Sequence, residues 1–203
     1  HASEAWASSV GANDVRLAVA DTGVDPQHPE LQVALPGGGW RMELGINVTG
    51  EPTAAWADTF GHGTPVAGVM AARSHEGVHF DSLGMAGVCG GDGGGNVGCR
   101  VVPIKISPGR TGTASSFDIS RAMLYAASVG ARAMNISFAG GGPSRLERLA
   151  MVHAITHGCV VVAAAGNRGH QAGEQPAQYP AAYAGDGLGI QVGASDPWDQ
   201  RAG

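Results

Sequence analysis

Five short apolar runs, nearly uninterrupted and each stopped by glycine, proline or a polar turn, limit what this chain can fold into. They are Val15 to Ala20, Val101 to Ile106, Ala133 to Ser137, Cys159 to Ala164 and Gly189 to Gly193. A strand with one wet face alternates apolar with polar residues, whereas a strand covered on both faces reads as a continuous apolar run, the habit of parallel sheets. Between the runs lie segments whose apolar residues recur at three and four: His62 to Ala72, Phe117 to Val129 and Ser144 to His157. The last has Pro143 and Ser144 at its start and Gly158 at its end, ordinary boundary signals. Strands alternating with such helices predict an α/β fold, three-layer αβα with a mostly parallel central sheet.

Composition agrees and also excludes. A chain of 203 residues, 43% hydrophobic and 14% charged, fits one large globular domain. The longest apolar stretch, Cys159 to Ala165, is far shorter than the roughly 20 residues that cross a bilayer, so no membrane partner is expected. A net charge of −5 without a Lys/Arg cluster leaves no electrostatic footprint for nucleic acid. Gly37 to Gly39, Gly90 to Gly98 and Gly140 to Gly142 read as loops, and the second, of low complexity, as a flexible surface insertion.

Cys89 and Cys99 bracket that insertion. A disulfide between them would close the loop at little strain and contribute roughly 3 kcal/mol, and two free thiols are the alternative. The bridge is the favoured reading and points to a secreted or extracytoplasmic protein. Cys159 opens a buried strand and is expected to pack as a small apolar residue. The start at His1, with neither an initiator Met nor a signal-like pattern, reads as processing or as the choice of where to begin.

Chemistry concentrates where strands end. Asp21 follows the first strand and precedes Thr22-Gly23, which places a carboxylate at the carboxyl edge of the sheet, where α/β proteins build their sites. His62 stands between two glycines at the start of a helix, a setting that projects its imidazole into a cleft. A carboxylate that orients an imidazole makes it a general base for a nucleophile. Asn167 follows Ala163-Ala164-Ala165-Gly166 at the end of another strand, and its amide could donate to an oxyanion. Taken singly, Asp21 is equally a cap or turn residue, His62 a satisfied polar group at a helix start, and Asn167 a left-handed turn residue.

Together the segments resemble the subtilisin-like (peptidase S8) family over about Val15 to Arg201. Val15 to Asp25 with His28-Pro29 resembles its Asp segment, Gly61-His62-Gly63-Thr64-Pro65-Val66-Ala67-Gly68 its His segment, Asn135 to Gly140 its substrate-binding strand, and Val160 to Asn167 its oxyanion segment. The resemblance implies a serine endopeptidase acting on polypeptides, with Asp21 and His62 as triad members and Asn167 as oxyanion donor. It also implies an extended peptide held by β-addition between the neighbourhood of Gly112 and Ser137, Phe138, Ala139 and Gly140, with Ala164, Ala165 and Gly166 along one wall of a specificity pocket.

Several positions depart from the family pattern. Pro65 stands where His is usual and Ala139 where Gly is usual. Calcium is implied by the family alone, because no calcium loop is recognisable in Ser74 to Gly87, and no other cofactor is expected. The Gly-Thr-Ser-Met-Ala type segment with the nucleophile is absent. Gly112-Thr113-Ala114-Ser115-Ser116 looks similar but falls between the His and Asn segments, where relatives have a substrate-binding edge. Residues 1–203 are therefore expected to be an incomplete peptidase domain, inactive alone, with an apolar face to which a C-terminal fragment of the same precursor brings the Ser. The alternative is a catalytically inactive scaffold that binds extended peptides or a partner protein. His75-Glu76-Gly77-Val78-His79 fits the zinc pattern H-E-x-x-H, but Gly77 disfavours the helix it needs and a solvated loop is the expectation. His153 and His157, also one turn apart, are expected at the surface end of their helix.

Overall fold

Each of the five apolar runs becomes a strand, and the carboxyl ends of all five point the same way. The computed structural model describes residues 2–74, 84–167, 177–196, 198 and 200. In chain order the elements are α1 (Ala2–Trp6), β1 (Arg16–Asp21), β2 (Ile46–Asn47), α2 (Gly63–Ala71), β3 (Arg100–Lys105), α3 (Ser116–Ser128), β4 (Ala133–Ile136), α4 (Arg145–Thr156), β5 (Val160–Ala164), a 3₁₀ helix (Ala181–Asp186) and β6 (Ile190–Val192). The strands form one sheet in the order β2-β3-β1-β4-β5-β6, with every pairing parallel. β1 sits centrally, paired on one side with β3 and on the other with β4. Strand order reverses there, so β1 opens at the crevice where α/β sheets bind ligands.

Alternate side chains along the strands divide the core in two. Ala18, Ala20, Val102, Ile104, Met134, Ile136, Val161 and Ala163 face α3 and α4, whose Ile119, Ala122, Met123, Ala126, Ala150, Met151 and Ala154 seal that layer. Val19 and Val101 face the other way and pack with Leu31, Met42 and, from α2, Ala67 and Ala71. Register carries this second face from Val19 through Asn135 and Val162 to Ile190. There it is uncovered: Val160 is 42%, Ile190 51% and Val192 48% exposed.

Caps explain the helix starts. Ser115 accepts from the Asp118 amide and Ser144 from the Glu147 amide, each satisfying a donor that the first turn leaves over. The Ser115 hydroxyl also donates to Asp118 Oδ2 at 2.6 Å. His153 and His157 lie exposed at the end of α4, as expected, and their rings stack at 4.0 Å. β2, two residues long beside β3, was not foreseen, because so short a pairing has no period to read.

The glycine-rich segment differs from expectation. Only its tip is exposed, whereas Gly90, Gly91 and Gly98 are buried. The buried Arg41 guanidinium ties the two ends together, donating to the Gly90 carbonyl at 3.2 Å, the Val97 carbonyl at 2.8 Å and the Ala71 carbonyl at the end of α2. Burial pushes this guanidinium down to about 10, which leaves it charged at neutral pH. The expected disulfide is not formed. Cys89 and Cys99 are free thiols in hydrogen-bond contact, held together by the Cys99 amide donating to the Cys89 carbonyl at 3.1 Å. The hydrogen bond from Cys89 draws Cys99 down to about 6 and pushes Cys89 up. Cys159 is fully buried, as expected. The stretch His75 to His79 lies outside the described residues.

Candidate active site

Asp21 is the last residue of β1 and is completely buried. Its Oδ1 accepts the Thr22 amide at 2.7 Å and receives His62 Nδ1 at 2.8 Å. An ionised carboxylate only accepts, so the imidazole proton sits on Nδ1 and the lone pair of Nε2 is free to take a proton. Burial is the strongest influence on Asp21 and raises its carboxyl above the usual range, against hydrogen bonds from His62 and Thr22 that lower it. Among the described residues Asp21 Oδ2 is buried without a partner, which adds to the cost of the charge.

His62 occupies the N-cap of α2, yet its side chain makes no capping bond, because the ring is turned to Asp21. The side chain is 44% exposed, and the Phe138 ring meets it edge-on at 6.3 Å. Gly63 makes the approach possible. A Cβ there would lie 2.0 Å from the Gly23 carbonyl and 2.9 Å from Asp21 Cβ, so any larger residue would drive the two loops apart.

A residue that sequence reasoning missed holds those loops together. Asp58 accepts from Thr22 Oγ1 at 2.7 Å, the Gly61 amide at 2.9 Å, the Thr64 amide at 2.9 Å and Thr64 Oγ1 at 2.6 Å. Thr22 Oγ1 in turn accepts the Gly63 amide at 2.9 Å. Burial raises the Asp58 carboxyl, but the Thr64 and Thr22 bonds outweigh it and hold the group below its ordinary value. From behind, Lys105 Nζ donates to the Thr22 carbonyl at 2.6 Å, and burial lowers this ammonium. The signal for Asp58 was faint: one acid in an irregular loop, four residues before the histidine.

These groups head a cleft of about 490 Å³ lined by Thr22, Phe60, His62, Gly112, Ser137, Phe138, Ala139, Gly140, Ala164, Gly166, Asn167 and Gln178. The sequence-derived residues thus converge on it, with Asp21 buried and reaching it only through His62 and with one exception among the rest. Ala165 does not line the cleft, and its amide instead donates to the Val192 carbonyl at 2.8 Å, joining β5 to β6. Gly140 lines it, but its amide and carbonyl are both paired with Tyr179. Gly112 is left-handed, with φ +61°, and a Cβ would meet the Phe60 ring at 2.5 Å. Phe60 and Gln178, absent from the sequence reading, complete the walls. Among the described residues no three His, Cys, Asp or Glu side chains converge as metal ligands.

A buried carboxylate fixing an imidazole tautomer, an open Nε2 and an amide across the cleft form an arrangement suited to general-base chemistry. The subtilase family model matches residues 12–202 of the sequence. The chain belongs to the subtilase family. It is 34% identical over 187 residues to the major intracellular serine protease of Bacillus subtilis, covering 90% of this chain and 52% of that one. Fervidolysin of Fervidobacterium pennivorans is 32% identical over 196 residues, covering 94% of this chain and 25% of its own length. Subtilisin Savinase of Lederbergia lenta is 32% identical over 188 residues, covering 93% and 58%. This subtilase chain thus spans less than two thirds of the length of the curated relatives it matches, from 18% to 58%. No helix among the described residues is long and apolar enough to cross a membrane.

Proposed function

We propose that residues 1–203 are the larger part of a serine endopeptidase domain, acting on polypeptides, whose nucleophilic Ser lies in a further segment of the same precursor. The observation that carries this reading is the 2.8 Å contact between His62 Nδ1 and buried Asp21 at the head of an open cleft. His62 Nε2 takes the proton of the Ser hydroxyl as its oxygen attacks the scissile carbonyl. Asn167 donates to the oxyanion, and collapse of the tetrahedral species passes the proton to the leaving amine. Water then hydrolyses the acyl-enzyme by the same route. Ser137 to Ala139 and the Gly112 neighbourhood hold the peptide backbone. The uncovered face at Val160, Ile190 and Val192 supports a segment packing there, since an apolar patch at the edge of a site calls for a cover.

Location outside the cytoplasm is part of the proposal, and in that setting Cys89 and Cys99, free thiols already in contact, oxidise to a disulfide. The test is to weigh the intact purified protein with every polypeptide that accompanies it, then to treat it with a fluorophosphonate. The expected result is a labelled Ser outside residues 1–203, with labelling abolished in His62→Ala. A label within residues 1–203, or no Ser-bearing segment at all, overturns it. The latter outcome leaves a peptide-binding scaffold.

A further inference from the structure

Beside the main cleft lies a second pocket of about 210 Å³, sharing with it the wall Gly112, Phe138, Ala139 and Gly140. Thr113, Ser116 and Gly141 lie at its exposed rim, and its two buried lining residues are Ile119 and Glu147. An acid at the base of a pocket is unusual: Glu147 is only 2% exposed, and its Oε2 has no partner among the described residues.

The sequence around it gives this carboxylate a different expected task. Ser144-Arg145-Leu146-Glu147 spells a capping box, in which the Glu reaches back to the amide of the capping Ser. Half of that box is present, as the Ser144 hydroxyl accepts the Glu147 amide at 3.3 Å. The other half has been taken over by Tyr183, whose hydroxyl accepts the Ser144 amide at 2.7 Å and donates to the Ser144 carbonyl at 2.7 Å. Glu147 is thereby released from its helix and directed to the pocket, where the Ser116 hydroxyl supports one oxygen. The first turn of α4 favours negative charge there, but burial opposes it, and the described residues of the pocket lining supply no cation. A buried carboxylate with a bare oxygen is satisfied best by a cationic donor.

We propose that Glu147 makes this pocket a subsite for a Lys or Arg side chain of the bound peptide, at a position away from the scissile bond. The inference rests on the peptide-binding reading of the cleft. An extended peptide places every second side chain on one face, so a strand lying against Ser137 to Ala139 can deliver one side chain to the main cleft and a further one over the shared wall. A charge-assisted bond to a buried acid discriminates roughly ten- to hundredfold against a neutral isostere.

The test uses the chain itself, titrated with fluorescent peptides identical except for Arg, norleucine or Glu at one scanned position. At one position the Arg peptide is expected to bind at least tenfold tighter than the norleucine peptide and the Glu peptide weakest. Glu147→Gln should abolish that preference while the norleucine peptide keeps its affinity, which also shows that the variant is folded. Equal affinity for Arg and norleucine at every position, or a preference that survives Glu147→Gln, overturns the subsite and leaves the peptide-binding reading standing. If none of the peptides binds, both fall together.

Discussion

On the α3/α4 face of the sheet, Met134, Ile136, Val161 and Ala163 are at most 2% exposed, whereas on the opposite face the neighbouring Val160, Ile190 and Val192 are between 42% and 51% exposed. The first face is held by apolar packing of two helices. The second is covered only around β1 and β3, and there α2 is tied down largely by polar clasps, Asp58 at its amino end and Arg41 at its carboxyl end. One layer is sealed by apolar packing, while the other carries the site and leaves part of its apolar face exposed.

The sharpest way to break this contrast is to remove packing from each face in turn. Met134→Ala should cost about 3 kcal/mol in urea unfolding, since a fully buried side chain leaves a cavity. Asp58→Ala comes next, at about 2 kcal/mol, because four donors lose their acceptor. Its loss should raise hydrogen exchange in the first turn of α2 while leaving α3 and α4 protected. Acid should mimic it. Asp58 is held below its unfolded value, so its contribution is complete above the ordinary carboxylate range and is lost as pH falls through the lowered folded value. Acid-induced exchange beginning in α3 instead would refute the division. The smallest effect is expected for Ile190→Ala, within about 0.5 kcal/mol for this chain. The same substitution should cost measurably more once the proposed segment is joined. No such increase would mean that the uncovered face stays uncovered.

The sheet was legible because parallel strands buried on both faces have no alternation to obscure them, and all five runs end within a residue or two of the observed strands. Asp21, His62 and Asn167 were legible because each follows a strand or opens a helix in a recognisable segment. Asp58 and Arg41 were not. Their roles depend on carbonyls, amides and hydroxyls brought together from loops distant in sequence, and no period or local pattern encodes that meeting. Gly90 to Gly98 misled for the same reason: glycines that read as freedom are here the close approach of a backbone wrapped around a buried guanidinium. Glu147 reads in the sequence as part of a helix-start signal, and only the Tyr183 hydroxyl on the Ser144 amide shows that its carboxylate is not used for it.

The central position of β1 also bears on how the chain is made. Arg16–Asp21 finds its partners in Arg100–Lys105 and Ala133–Ile136, the latter more than a hundred residues downstream. A ribosome adding roughly 5–20 residues per second must work for several seconds before the first strand can be enclosed. Contacts so distant along the chain slow folding and leave unpaired strand edges exposed to other chains meanwhile. The strand that ends in the buried Asp21 carboxylate thus precedes every other strand of this sheet in synthesis, yet must wait for β4 before it is enclosed.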